Sequence, residues 1–459
     1  LTNTEVPSAV ELIPEYTTKS YNALSATDLL YDEVLQRRET GYDIEELVRE
    51  ANRTDPTDRA AVLDIVDRMA LTTRQPGWSY VEPDEIDDIE ASLPTLPTAS
   101  PVPEQELRDK VSAAWLGRIA GCNLGKPVEW GFQWTAGHIR DYLELAGAYP
   151  LRDYFPVMDP MPEGFELTAC WPETTRGNVK GSARDDDIDY PILALHLLEK
   201  HGSSLRPQDV GAAWTRLFPI EQVYTAERAA YINLVEGYSV PEVARRRNPY
   251  REWIGAQIRG DAFGYVYAGD PWSAARLSFQ DASLSHVGNG IYGEMWAAAL
   301  VASAFTATSA REAVENSLGV VPPASRLAEA LRHVVQLKDS GITWEAALTA
   351  IQESYGHYSW VHTINNAAAV TAAVLWSEDD FMTGLGRVVM SGWDTDSNGA
   401  TVGSVLGILS GTDNLPDHLI APLENRTRSA LFGFDNSLIS DLAERTIRLA
   451  VNGLDQPRP

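Results

Sequence analysis

Trp115-Leu-Gly-Arg-Ile-Ala-Gly-Cys-Asn-Leu-Gly-Lys-Pro-Val-Glu129 sets glycines at 117, 121 and 125 inside a run that otherwise reads as an Ala-rich helix over 106–126. Glycines spaced by four share one helical face, and a face without side chains lets a second helix come close. The pattern is a packing device and predicts a fold of helices laid on helices. The same stretch invites comparison with a phosphate-binding loop. Ala120 stands where that motif needs its first Gly and Pro127 where it needs Ser or Thr, so the motif is rejected. Glu129, just past the predicted helix end, is a candidate acid, base or metal ligand, with a solvated surface glutamate as the plain alternative.

Outward from this helix the periodicity stays helical over 187–200, 291–306, 324–338, 363–376 and 398–409, and few runs alternate as strands do. The reading is all-α. Upstream, 26–40, 43–53 and 57–71 form short amphipathic stretches, the last entered through Asp55-Pro56-Thr57. Pro94, Pro97, Pro101 and Pro103 then mark a linker. Residues 1–104 therefore read as a helical extension used for packing, and 105–459 as the part that carries chemistry. Between 146 and 183 five prolines and several aromatics show no period, which suits either a lid or a packed insertion.

The chain holds 65 Asp and Glu against 37 Lys and Arg. Such an excess repels phosphate backbones and anionic membranes and offers no counterion-release drive, so nucleic acid is not an expected partner. An anionic ligand would need a locally neutralised pocket, which points towards a cation. The two cysteines, Cys122 and Cys170, form no metal-binding pair and no disulfide framework. With no signal-peptide pattern at Leu1 and no apolar run of roughly 18 residues, a cytoplasmic location is expected. Oligomeric state is not legible.

Two acid-rich segments open predicted helices. Asp185-Asp186-Asp187 precedes the apolar run from Ile188. One Asp suffices for a cap, whereas three adjacent carboxylates repel one another unless a cation joins them. Asp394-Thr-Asp396-Ser397 opens the helix through Val402 and Leu406. Together the segments offer carboxylates and a hydroxyl, an all-oxygen set suited to Mg²⁺ or Mn²⁺, and their number favours two ions. His286-Val-Gly288-Asn289-Gly290-Ile-Tyr292-Gly293 matches a dinucleotide-binding spacing, but no strand precedes it. Its turn opens a helix whose free amides are expected to hold a ligand phosphate, with His286 as a neighbouring donor. Capping and packing would explain the same glycines.

Taken in order, the Gly117–Glu129 stretch, Asp185–Asp187, Asp281–Gly293 and Gly392–Gly403 resemble the ADP-ribosylglycohydrolase family, over roughly 105–450. The resemblance implies an orthogonal, nearly all-α bundle with an N-terminal extension, and two Mg²⁺ or Mn²⁺ ions in a cleft. It implies a glycoside hydrolase acting on ADP-ribose attached to a side chain or small molecule. Asp186 and Asp187 match the family's first metal motif, and Asp394, Asp396 and Ser397 its second. Asp185 stands where many relatives carry Thr or Ser and adds a charge to the first motif. Glu129 falls near the family's functional glutamate, and the loop with His286, Gly288, Asn289, Gly290 and Tyr292 falls where relatives contact ligand.

Hydrolysis at ribose passes through an oxocarbenium-like state and needs a positioned water and a carboxylate base, for which Glu129 and Asp187 are the candidates. Four rival readings stand beside this one. An N-glycosidase on a small nucleoside or nucleotide would use the same fold. Asp185-Asp186-x-x-Asp189 satisfies the magnesium motif of class I isoprenoid synthases. Val388-Val389-Met390 before Asp394 mimics the strand of haloacid-dehalogenase phosphatases. A relative without catalysis, serving as a binding or structural protein, is the last.

Overall fold

The computed structural model describes residues 24–454, and among them regular structure is almost wholly helical. Helices α1 (Ala26–Glu39), α2 (Glu45–Ala51) and α3 (Arg59–Met69) precede α4 (Glu104–Gly125), the glycine-bearing helix. Then come α5 (Asp186–His201), α6 (Asn289–Ala304), α7 (Arg326–Asp339), α8 (Thr363–Leu375), α9 (Thr395–Ser410) and α10 (Ile439–Asn452), with shorter helices between. The sheet content is a two-stranded antiparallel ribbon pairing Arg426–Thr427 with Ser437–Leu438. No helix of the described residues is long and apolar enough to cross a membrane.

Periodicity located these helices but set several starts late. The starts expected at 291 and 398 fall at Asn289 and Thr395, because a first turn of polar residues and glycine carries no apolar signal. For α3 the error runs the other way. Asp58 accepts from the amides of Ala60 and Ala61, both at 3.1 Å, and so begins the helix at Arg59. Asp55 caps only the preceding turn, through the Thr57 amide at 2.9 Å.

The glycine face of α4 meets a matching face on α9. Gly117 lies against Gly403, Gly121 against Gly399 and Gly125 against Thr395, while Gly407 lies against Ala113. Rising numbers on one helix meet falling numbers on the other, so the pair runs antiparallel in backbone contact. A Cβ on any of these glycines would fall on a carbonyl of the partner helix. The geometry brings the end of α4 to the beginning of α9, where Thr395 Oγ1 donates to the Gly125 carbonyl at 2.9 Å.

Arg118, on another face of α4 and fully buried, fastens α5 to this pair. Its Nε donates to the Asp187 carbonyl at 2.8 Å, its Nη2 to the Ile258 carbonyl at 2.6 Å, and its Nη1 pairs with Asp261 at 2.9 Å. Helices α6 and α8 are buried along their whole length, as helices apolar all round should be. Segment 146–183 holds one short helix, Trp171–Thr174. It is packed in: Tyr154 and Phe155 are buried, Tyr154 donates to the Leu419 carbonyl at 2.8 Å, and Thr168 donates to the Lys126 carbonyl at 2.7 Å.

Helices α1 to α3 share an apolar core of their own, including Leu30, Val34, Val48, Val62, Ile65 and Met69. Buried ion pairs tie this part of the chain to the rest, Arg251 to Glu33 at 2.7 Å and Arg326 to Glu82 at 2.9 Å.

Candidate active site

Three distant segments meet where α4 ends and α5 and α9 begin. Ligand atoms of Cys122, Asp185, Asp187 and Asp396 all lie within 4.8 Å of one another, and so do those of Glu129, Asp394 and Asp396. Asp396 belongs to both groups. Ser397 Oγ donates to Asp187 Oδ2 at 2.9 Å, a direct link between the two acid-rich motifs. Two helix N-termini point at the cluster, and their partial positive charge favours anions there.

The approach to α9 is bent to aim Asp394. Gly392 has φ +76° and Trp393 φ +61°, and the latter costs a non-glycine residue about 1 kcal/mol. Asn366 on α8 supports the turn, accepting from the Asp394 amide at 3.2 Å and from Asn398 Nδ2 at 2.7 Å.

Capping explains part of the acid clusters and leaves the rest. Asp185 is the N-cap of α5 and accepts from the Asp187 amide at 2.8 Å. Asp394 holds the N-cap position of α9 but makes no capping hydrogen bond with its side chain. Asp186 is partly exposed and stands outside both ligand groups. Asp189 turns away, accepting from Arg184 at 2.8 Å, Ser429 Oγ at 2.6 Å and the Ala430 amide at 3.0 Å. The isoprenoid-synthase motif therefore lacks its third carboxylate. Val388–Met390 lies on the helix Phe381–Met390, not on a strand, which removes the phosphatase reading.

Two members went unread in the sequence, Lys126 and Cys122. The buried Lys126 ammonium contacts Asp185 and lies 4.0 Å from Asp396. Against its desolvation, Asp185, Glu129 and Asp396 hold it charged, its pKa well above the usual lysine range. Lys126 in turn holds Asp185 below the ordinary carboxylate value despite burial. The other acids go the opposite way. Desolvation among the crowded acids, then Asp185, pushes the half-exposed Asp186 up to about 8, and burial with Asp185 and Asp396 raises Asp187 well above its ordinary value. Burial, then Asp396, does the same to Asp394 and Glu129. Carboxylates crowded in low dielectric and short of positive charge suit a hard divalent cation, and so does the oxygen-dominated donor set.

This sets a pH dependence for chelated protein. Folded-state values above the unfolded ones mean that the native state binds more protons, so stability falls as pH rises from about 4 through about 8. Each such proton contributes roughly 1.4 kcal/mol per pH unit in that window. Glu39 and Glu227, outside the site, are raised by burial to about 8 and about 7 and add a slope of the same sign, so the readout is a difference: the thermal midpoint should fall more steeply from about pH 5 to about pH 8 with chelator than with saturating Mg²⁺ or Mn²⁺. Equal slopes with chelator and with metal would contradict the assignment.

The loop expected to bind ligand phosphate is engaged within the protein. The Gly288 amide donates to Asp84 at 2.8 Å and the Asn289 amide to Glu252 at 3.1 Å. Asn289 Nδ2 donates to Glu82 and to Glu252, both at 2.8 Å, and Tyr292 OH donates to the Pro83 carbonyl at 2.5 Å. The Gly290 amide bonds to the Val287 carbonyl at 3.0 Å. His286 is buried, its Nδ1 against Ser285 Oγ at 2.8 Å, and burial keeps its pKa well below the usual histidine value, hence neutral. The expectation of free amides is corrected: carboxylates from the chain itself occupy this helix start. Two of the residues involved, Glu82 and Asp84, come from the N-terminal segment, whose acidic side chains carried no periodic signal.

Among known proteins, a family model described as ADP-ribosylglycohydrolase matches residues 103–453. No curated protein matches the chain. Among solved structures, a chain titled "ADP-ribosylglycohydrolase-related protein complex" is similar, at 18% identity and TM-score 0.45, covering 75% of this chain and 99% of that one.

Proposed function

This chain belongs to the ADP-ribosylglycohydrolase family of glycoside hydrolases, and from that membership we propose that it cleaves the bond between the ribose of ADP-ribose and an acceptor, with Mg²⁺ or Mn²⁺ required. The observation that carries the reading is the meeting of three separate segments at Asp396, which lies within ligand distance of Asp187 on one side and of Glu129 and Asp394 on the other. Asp186, Asp187, Asp394, Asp396 and the Ser397 hydroxyl are the proposed metal ligands, with Asp185 behind them. A cation held there would supply water activation and a fixed position for the ribose hydroxyls.

The proton chemistry falls to Glu129. It is the partly exposed member of the cluster, whereas Asp187 is buried and engaged by Ser397 and Arg118. A carboxyl desolvated on its inner side and raised further by Asp396 exchanges protons nearer neutral pH than an ordinary glutamate, as a general acid–base group should. The anionic cluster also favours the positive charge that develops on ribose in the transition state. Directly after Glu129, Trp130 and Phe132 are exposed and stacked with ring centroids 5.8 Å apart. They offer a flat apolar surface beside the acid for a ring of the substrate.

A panel of ADP-ribosyl-arginine, ADP-ribosyl-serine, other ADP-ribose conjugates and simple nucleosides, each with Mg²⁺, Mn²⁺ or chelator, tests the reading. Metal-dependent release of ADP-ribose is expected. Release of ribose from nucleosides alone would move the substrate to the N-glycosidase class, and release indifferent to chelator would overturn the metal role. Glu129→Gln should lower turnover by about 10²–10⁴-fold with metal content unchanged.

A further inference from the structure

We infer that Lys126 is a built-in cation of the carboxylate centre, and that the centre accepts one divalent ion, held by Asp394 and Asp396 on the side of Glu129, in place of the two that the full set of proposed ligands would serve. The inference rests on the proposed reading that this centre binds a divalent cation.

The two ligand groups differ in what already occupies them. In the deeper group, Asp185 Oδ1 accepts from the Asp187 amide at 2.8 Å, and Asp185 Oδ2 contacts the Lys126 ammonium. Both oxygens are engaged. Asp187 Oδ2 accepts from Ser397 Oγ at 2.9 Å, and its Oδ1 lies 3.4 Å from Arg118 Nη2. Cys122, the remaining member, offers a buried sulfur, a poor donor for a hard, oxygen-seeking cation. Asp396 is shared, with Lys126 Nζ 4.0 Å from its Oδ2. In the outer group, Glu129 and Asp394 carry no ion pair with a Lys, Arg or His among the described residues.

The ammonium is held in place by the fold. Lys126 begins the short 3₁₀ turn Lys126–Val128 directly after α4, and its carbonyl accepts from Thr168 at 2.7 Å. The neighbouring Gly125 is locked against Thr395. The side chain thus starts from a rigid point and reaches into the deeper group. Paired catalytic ions sit about 4 Å apart across shared carboxylates. A second ion bridged through Asp396 on the deeper side would have to displace an ammonium already neutralising Asp185.

Counting bound metal decides the matter without reference to activity. Full-length chain stripped with chelator, saturated with Mn²⁺ and freed of excess by gel filtration should retain one ion per chain, with the electron paramagnetic resonance of an isolated ion. Lys126→Met, which keeps length and removes charge, should retain two ions with a spin-coupled spectrum, and Lys126→Arg should stay at one. Two coupled ions in the parent would overturn this inference and leave the proposed function standing. One ion in Lys126→Met would overturn it as well. No bound Mn²⁺ in the parent would defeat both. Should Lys126→Met fail to fold, the parent spectrum alone settles the count.

Discussion

Turnover in the double variant Asp394→Asn, Asp396→Asn should fall by roughly three orders of magnitude or more, because cation positioning and water activation are lost together. The fold should survive. If these residues served only to begin α9, Asn would replace them at a cost of roughly 1 kcal/mol or less, being nearly as good a cap. The structure removes that alternative for Asp394, whose side chain makes no capping bond. Asn also reproduces the shape of a protonated carboxyl, the form that burial, Asp396 and Glu129 favour at Asp394 without metal. Chelated variant should therefore unfold at a temperature equal to or above that of chelated parent, most clearly near pH 8. Mg²⁺ or Mn²⁺ should stabilise the parent and leave the variant unmoved. Retained turnover, or equal metal-induced stabilisation of both proteins, would refute the site.

Adding one methyl group at Gly121 should damage the protein nearly as much. In an exposed helix interior Gly→Ala gains up to about 1 kcal/mol. At Gly121 the new Cβ would fall on the Gly399 carbonyl and lie 3.1 Å from Leu385 Cδ1. Backbone cannot swing aside as a side chain can, so α4 and α9 must separate. Overpacking of this kind costs roughly 1–3 kcal/mol or more, and here it reverses the sign expected from propensity. Separation also draws Asp394 and Asp396 away from Glu129 and Asp187, so metal affinity should fall along with stability. Gly137→Ala is the control. Its Cβ would meet nothing nearer than 3.9 Å, and the substitution should be neutral or slightly stabilising. Equal unfolding midpoints for Gly121→Ala and Gly137→Ala would show that the helix contact is not as tight as described.

Both results depend on features that differ in how far they could be read from the chain. The glycines at 117, 121 and 125 announced a close helix contact, yet not with which helix. The partner face at Gly399, Gly403 and Gly407 has the same spacing, but spacing within one helix says nothing of the register between two. The surplus of carboxylates at 185–187 and 394–396 was legible as a charge problem, since repulsion between neighbours in sequence needs no fold to exist. Which of them cap and which remain for a ligand was not legible. Asp185 and Asp394 both occupy an N-cap position, and only backbone direction decides that one side chain turns to its amide and the other does not.

Local pattern by itself determined that this protein is built of helices, where most of them lie, and that two helix starts carry more negative charge than capping requires. These properties follow from interactions over a few residues, the 3.6-residue period and the repulsion of adjacent charges. The tertiary structure alone decided that Lys126 lies among the acids, that Asp189 serves the C-terminal loop, and that Glu82 and Asp84 cover the helix start after His286. Each of these is a contact between residues far apart in the chain, set by how the helices stack, and buried charge takes whichever partner that stacking brings within reach.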